Sequence, residues 1–246
     1  MIALPAPTVS RNIGLWDWFT RGDTWTGDGG ILSSLVDTVT LCAAVLIFSI
    51  LVAVPLATLL AHYRRSELSA TWFLNIGRAI PTFAIAGLLL PISLKNGYGF
   101  EPWPIFIALS LLAIPPIYLT AYTAVKQADP GAVDAARAMG FTERDVMVRV
   151  ELALAAGLIL SGIRVAAVQV VATEPIRAFL GGEGLGHYVR DGLGQTNDTL
   201  LIGGAILVAG LATVTGLAFG ALERVVLPRG ARRLRHVQNS RTGETR

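Results

Sequence analysis

The ionisable residues best placed to do chemistry in this sequence lie in and just after an apolar segment. Arg164 stands inside the apolar segment 152–174, whereas Glu174 and Arg177 are three residues apart, a spacing that lets two side chains pair on one helical face. A cation in such a segment needs an ion partner or a water-filled cavity. Together with Gln169, these residues are candidates for lining a polar path. The alternatives are helix packing for Arg164 and a structural ion pair for Glu174 and Arg177.

The other reactive residue types do not form a catalytic or metal-binding pattern. His62, His187 and His236 lack ligand spacing, and Cys42 is the only cysteine, so an intrachain disulfide is impossible. The glycine-rich run 181–186 lacks the lysine and the strand-to-helix context of a phosphate-binding loop. It is either a flexible turn or a contact with a solute or receptor. We therefore expect no catalytic residue, no metal and no cofactor in this chain.

The composition places these residues in a membrane protein. Of 246 residues, 53% are apolar and 15% are charged, and the mean hydropathy is +0.58. A helix needs about 20 apolar residues to cross a bilayer. The sequence predicts an all-α polytopic membrane protein with about five spanning helices. The predicted spans lie near residues 38–63, 76–94, 102–125, 152–174 and 199–222.

Basic residues predict the orientation of these spans, because Lys and Arg are retained on the cytoplasmic side during insertion. Most of them fall in or beside the segments 64–78, 126–149 and 224–246. We therefore expect an extracytoplasmic segment 1–34, a membrane domain 35–228 with a cytoplasmic loop 126–151, and a basic cytoplasmic tail 229–246. The chain would lie in a bacterial inner membrane with its amino terminus outside. The tail suits anionic lipid, and we expect no nucleic-acid partner.

The loop 126–151 has the pattern of two short helices joined by a turn. Asp129 and Pro130 can begin a helix, Gly140 can end it, and Thr142 can cap the next one. Exposed apolar side chains on such a hairpin, outside the membrane, predict a docking surface for another protein. The apolar residues expected at its surface are alanines, Met139, Phe141 and Val146.

This hairpin resembles the EAA loop of ABC importer permeases, whose signature is E-A-A, three residues, G, nine residues and I-x-L-P. The matching residues are Asp134, Ala135, Ala136, Gly140, Val150 and Leu152. Ala153 replaces the family's proline, which should leave the start of the fourth span less kinked. The resemblance implies that the loop, with Met139 and Phe141, couples to a separate ATPase subunit that binds the ATP. It also implies a second permease subunit, identical or different, and an extracytoplasmic solute-binding protein.

Two further stretches resemble one branch of these permeases. Residues 162–173, followed by the run 181–186, are similar to the permeases of importers for osmoprotectants such as glycine betaine, choline, carnitine or proline. Residues 174–177 depart from that branch, which has small apolar residues there, and methionine-type importers have a similar glycine run. The alternatives are another ABC importer, for example for amino acids or methionine, an ion-coupled secondary transporter, a non-transporting membrane scaffold, and a membrane enzyme.

Overall fold

The computed structural model describes residues 14–27, 29–63, 81–100 and 102–226 of the chain. All regular elements in these ranges are helices, so the all-α prediction is confirmed. In chain order they are α1 (Leu15–Thr20), α2 (Gly22–Trp25), α3 (Ile31–His62), α4 (Thr82–Lys95), α5 (Trp103–Lys126), α6 (Pro130–Ala138), α7 (Glu143–Asp145), a π-helix (Val146–Glu151), α8 (Leu152–Thr173), α9 (Ile176–Phe179), α10 (Gly186–Gly194) and α11 (Asp198–Val226).

Four helical stretches within the described ranges are long and apolar enough to cross a membrane. They are α3, α5, the continuous run Glu143–Phe179 that contains α8, and α11. Helix α4 is apolar but shorter, and its 14 residues rise only about 21 Å. It coincides with the second predicted span, of which residues 76–80 lie outside the described residues. The five predicted apolar segments therefore correspond to one short and four long helices.

Helix α5 is central to the bundle and packs against α3, α4 and α8. Small side chains allow these helices to approach closely, since Ala108, Ala121 and Ala166 are fully buried. A methyl group at Gly162 of α8 would overlap the side chain of Thr120 of α5. Large apolar side chains instead cover the outside of the bundle, where a bilayer would meet them.

The last long helix, α11, packs against α8 and α10. A Cβ atom at Gly216 would lie 3.3 Å from Val168, and one at Gly220 would lie 3.1 Å from Arg164. These two glycines therefore let α11 lie close to α8 of the same chain.

A separate apolar cluster closes the end of the bundle where α3 and α11 begin. Trp18 of α1 is buried and meets Tyr188 of α10 edge to face, with 5.4 Å between ring centroids. Burial raises the pKa of Tyr188 to about 12, so its hydroxyl stays protonated and donates to the Gly29 carbonyl at 3.0 Å. The apolar cluster packs α1 against α10 and α11, and the hydrogen bond ties α10 to the segment before α3.

Candidate functional site: the hairpin and two polar junctions

The hairpin, residues 129–151, folds as its sequence predicts. The Asp129 side chain accepts hydrogen bonds from two backbone N–H groups in the first turn of α6, at 3.3 and 3.4 Å. Gly140 follows α6 with a φ of +87°, a conformation that suits glycine because it has no Cβ. The Thr142 hydroxyl accepts from the Asp145 N–H at 3.2 Å and so caps α7. The two caps and the glycine turn together fix the bend.

The hairpin continues into the membrane without a break in the helix. After α7, the six residues Val146–Glu151 form a π-helix that leads directly into α8. Ala153 lies in the first turn of α8, where the resembling family has a proline. The hairpin and α8 therefore share a continuous helical backbone.

The hairpin has its own small apolar core, which includes Val133, Ala136 and Val146. The expectation that Val146 is exposed is wrong, because its side chain faces α6 and is fully buried. Ala136 also points into this core. The exposed apolar side chains at the turn are those of Met139 and Phe141, which are 70% and 38% exposed, and Val148 of the π-helix is 49% exposed.

The remaining predicted loop residues divide between the surface and the interior. Asp134 and Ala135 are exposed on α6, next to the turn at Gly140. Val150 packs against the hairpin core, and Leu152 packs against the main core of the bundle. We name the exposed residues Met139, Gly140 and Phe141 the hairpin tip. With Asp134 and Ala135 beside it, the tip is a surface that another protein can contact.

A polar junction, missed by sequence reasoning, ties the hairpin to the end of α3. The His62 side chain is only 4% exposed, and its Nδ1 lies 2.7 Å from Glu151 Oε2. Its Nε2 lies 3.3 Å from Glu143 Oε2. Arg137 of α6 donates to both oxygens of Glu143 at 3.0 Å. We name His62, Glu143, Glu151 and Arg137 the hairpin junction, and it joins four helical elements, α3, α6, α7 and the π-helix.

A second polar junction lies at the opposite end of α8. Glu174 follows α8, and its side chain is completely buried. Its Oε2 accepts a hydrogen bond from the Thr38 hydroxyl of α3 at 3.2 Å. The same hydroxyl accepts from the Leu185 N–H at 2.9 Å, so Thr38 connects the loop before α10 to Glu174. We name Thr38, Glu174, Leu185 and Arg177 the far junction.

Arg177 balances the buried carboxylate of the far junction. Its Nη1 lies 3.5 Å from Glu174 Oε1, and its side chain is 14% exposed. The predicted pairing of these two residues is therefore present. Arg177 also lines a small cavity with mainly apolar walls, formed together with Leu90, Phe100, Pro102, Pro104, Ile105, Leu180 and Gly182. This arrangement places a guanidinium in the wall of a small cavity near the end of the bundle.

Arg164 lies apart from the far junction. Its Nη1 is 4.0 Å from Oε2 of Glu223 on α11, and its side chain is 43% exposed. Ten residues of helix separate Arg164 from Glu174, a rise of about 15 Å. Gln169, half-buried, lies between them along α8. Of the four predicted path residues, Glu174 and Arg177 pair at the far junction. Arg164 pairs separately with Glu223 of α11, and Gln169 lies between the two pairs along α8.

Comparison with known proteins agrees with this architecture. The sequence model of the family described as "binding-protein-dependent transport system inner membrane component" matches residues 46–229. The chain is 29% identical to the choline transport system permease protein OpuBB of Bacillus subtilis (strain 168), over 86% of this chain and 95% of that protein. It is 31% identical to the carnitine transport permease protein OpuCB of Listeria monocytogenes, over 77% of this chain and 84% of that protein.

Among solved structures, the fold is similar to that of the MetNI methionine ABC transporter in an inward-facing crystal form. The TM-score is 0.70 at 20% identity, and the match covers 80% of this chain and 96% of that chain. At this identity the likeness shows the fold. The family match covers most of the chain, and the helices needed to span a membrane are present in its described part. The chain therefore belongs to the family of binding-protein-dependent transport system inner membrane components, the multi-pass permease subunits of ABC importers.

Proposed function

We propose that this permease carries an osmoprotectant of the glycine betaine, choline, carnitine or proline type. The observation that carries the proposal is the similarity to relatives named for choline, carnitine and glycine betaine transport. Three of them are 29%, 31% and 32% identical to the chain over 86%, 77% and 74% of its length. The similarity therefore extends over the helices that form the bundle as well as the hairpin.

In this proposal the hairpin tip docks on a separate ATPase subunit, which binds and hydrolyses ATP. Two features support this role. Met139 and Phe141 are apolar and exposed on a segment flanked by charged side chains, as in a protein interface with an apolar centre. The hairpin also continues into α8, so movement of the docked subunit would displace a membrane helix. Hydrolysis therefore remains on the partner, and this chain supplies the moving helices.

A complete importer of this design needs two further partners. A second permease subunit, identical or related, would enclose the path together with this chain, and an extracytoplasmic solute-binding protein would deliver the solute. We place Arg164, Gln169, Glu174 and Arg177 along or beside this path. The half-exposed side chain of Arg164 supports this placement, since a charged group in a spanning helix needs water or another protein chain beside it.

The proposed orientation places the hairpin in the cytoplasm, the amino terminus outside and the carboxyl terminus inside a bacterial inner membrane. Single cysteines at Thr142 and Gln195, in a chain carrying Cys42→Ser, test it. Both positions are exposed and lie at opposite ends of the bundle. A membrane-impermeant maleimide applied to spheroplasts should label the cysteine at position 195 at once and the one at position 142 only after lysis. The reverse labelling would contradict this orientation and the docking role.

Uptake by purified components tests the transported solute. The chain is reconstituted in proteoliposomes with its ATPase and its solute-binding protein, and radiolabelled glycine betaine, choline, carnitine, proline and methionine are supplied separately. We expect uptake of at least one osmoprotectant that requires ATP. Uptake of methionine alone would indicate a different ABC importer. Uptake driven by an ion gradient without ATP would indicate a secondary transporter, and absence of any uptake would favour a scaffold.

A further inference from the structure

We propose that His62 is a positioning residue that transmits displacement of the hairpin to α3. The inference rests on the proposed function, because it assumes that an ATPase moves the hairpin. It adds a second mechanical connection to the covalent one through α8. Helices α3 and α8 would then move together, because each is connected directly to the hairpin.

The geometry of the hairpin junction carries this inference. Each ring nitrogen of His62 faces a carboxylate oxygen, Nδ1 towards Glu151 at 2.7 Å and Nε2 towards Glu143 at 3.3 Å. These two glutamates lie at opposite ends of the segment formed by α7 and the π-helix. One imidazole on α3 therefore contacts both ends of that segment. Arg137 of α6 donates to both carboxylate oxygens of Glu143, so α6 belongs to the same network.

The burial of the His62–Glu151 contact distinguishes it from a loose surface pairing. The side chains of His62 and Glu151 are 4% and 10% exposed, whereas that of Glu143 is 56% exposed. Ion pairs between fully solvated side chains contribute little to stability and give way easily. The His62–Glu151 contact is shielded from water and is therefore the firm part of the junction.

The far junction gives α3 and α8 a second point of attachment. Glu151 and Glu174 flank α8, and they contact His62 and Thr38 of α3. Along both helices the two contacts are separated by a rise of about 35 Å. The matching separations mean that two antiparallel helices are fastened together at both ends. Between these points α3 packs more extensively against α5 than against α8.

This arrangement predicts how force from the hairpin reaches the far end of the bundle. A hairpin displacement would move α8 directly and α3 through His62, which keeps Thr38 aligned with Glu174. Without His62, α8 would shift relative to α3. Thr38 and Glu174 of the far junction would then no longer stay aligned. ATP hydrolysis would then continue while its coupling to transport fell.

The test compares His62→Ala, His62→Gln and Thr40→Ala in the complete complex with its ATPase and solute-binding protein. Thr40 is a matched control because it is exposed on α3 and bonds only to carbonyl groups of its own helix. The measurements are co-purification of the ATPase, ATP hydrolysis, and solute carried per ATP hydrolysed. Hydrogen exchange of residues 143–151 is followed in the membrane-embedded chain.

We expect His62→Ala to retain the ATPase and its hydrolysis and to lower the ratio of transport to hydrolysis on the order of ten-fold, within the usual range of coupling between sites. Hydrogen exchange of residues 143–151 should increase. His62→Gln, which keeps one hydrogen-bonding group, should recover part of the ratio, and Thr40→Ala should match the wild type. Loss of the ATPase in His62→Ala would mean that His62 only folds the hairpin, which overturns the inference, as would an unchanged ratio.

Failure of the proposed function has a different signature. In that case the wild-type complex would carry none of the osmoprotectants with ATP. The exchange measurement then decides the inference without a solute, because unchanged exchange in His62→Ala would show that His62 does not hold the hairpin to α3.

Discussion

The hydroxyl of Thr38 donates to the buried carboxylate of Glu174 across 3.2 Å and joins the first long helix to the end of α8. Its oxygen also accepts from the Leu185 N–H at 2.9 Å. One side chain on α3 therefore satisfies two groups that come from other parts of the chain and have no access to water.

Thr38→Val should destabilise the protein, because it keeps the shape of the side chain and removes both hydrogen bonds. A buried acceptor and a buried N–H would lose their partner, at a cost of about 1–3 kcal/mol each. The measurement is the thermal unfolding midpoint in lipid nanodiscs, with Thr38→Ser as the matched control that keeps the hydroxyl. Equal midpoints for Thr38→Val and the wild type would show that the hydroxyl contributes no stability.

Gly184→Ala should disturb the same junction by steric overlap. Gly184 has a φ of +98°, and a Cβ there would lie 2.8 Å from Thr38 Oγ1 and 2.9 Å from Glu174 Oε1. Overpacking typically costs about 1–3 kcal/mol, which adds to the backbone strain of alanine at positive φ.

Gly140→Ala is the matched control for Gly184→Ala. Its φ is also positive, +87°, but a Cβ there would meet nothing within 4 Å. It therefore carries the backbone strain without the overlap. We expect a larger fall in unfolding midpoint for Gly184→Ala than for Gly140→Ala, and equal falls would argue against close packing at the far junction.

The sequence was sufficient to predict the membrane helices and the hairpin because their signals are local. Long uncharged apolar segments mark α3, α5, α8 and α11. The hairpin depends on Asp129, Gly140 and Thr142, each of which acts within a few residues of its own position. Helix α4 was predicted from the same apolar signal, although the described helix is short.

Apart from the local pair of Glu174 and Arg177, the contacts in the two junctions could not be predicted, because they depend on how distant helices are aligned. Thr38 and Glu174 are 136 residues apart in the sequence, and His62 and Glu151 are 89 residues apart. Periodicity shows that a helix forms but does not show which residues of two helices lie opposite each other. The available signal was limited to polar residues at the ends of apolar segments.

The burial of Val146 follows from the spacing of the apolar residues in the hairpin. Val133 and Ala136 are three residues apart, and Val146 and Val150 are four apart, so each pair lies on one helical face. Two short amphipathic helices joined by a tight turn pack these faces together. The tip residues Met139 and Phe141 remain outside because the turn has no opposing face to cover them.

Met139→Glu should weaken docking at the hairpin tip without unfolding the hairpin. The side chain is 70% exposed, so a carboxylate there leaves the hairpin core intact and places a charge in the proposed interface. We expect ATPase affinity to fall roughly ten- to one-hundred-fold, the usual scale for losing an interface anchor. Binding of the purified ATPase to nanodisc-embedded permease measures this.

Ala136→Glu is the comparison for Met139→Glu, because Ala136 is buried in the hairpin core. It should lose ATPase binding together with hydrogen-exchange protection of the hairpin, whereas Met139→Glu should lose binding with protection preserved. Normal ATPase affinity in Met139→Glu would exclude the tip as the docking site.

Arg164→Ala should alter transport more than stability if Arg164 faces the path. Its nearest described carboxylate, Glu223, is 4.0 Å away, and the Arg164 side chain is 43% exposed. If a water-filled path covers that exposed part, the pair contributes no more than about 1 kcal/mol to folding. Replacing the guanidinium removes a charge that passing solute would meet. The measurements are uptake kinetics and the unfolding midpoint, with Glu223→Gln as the control that removes the ion partner and keeps Arg164. A large fall in midpoint with unchanged uptake kinetics would assign Arg164 to packing between α8 and α11.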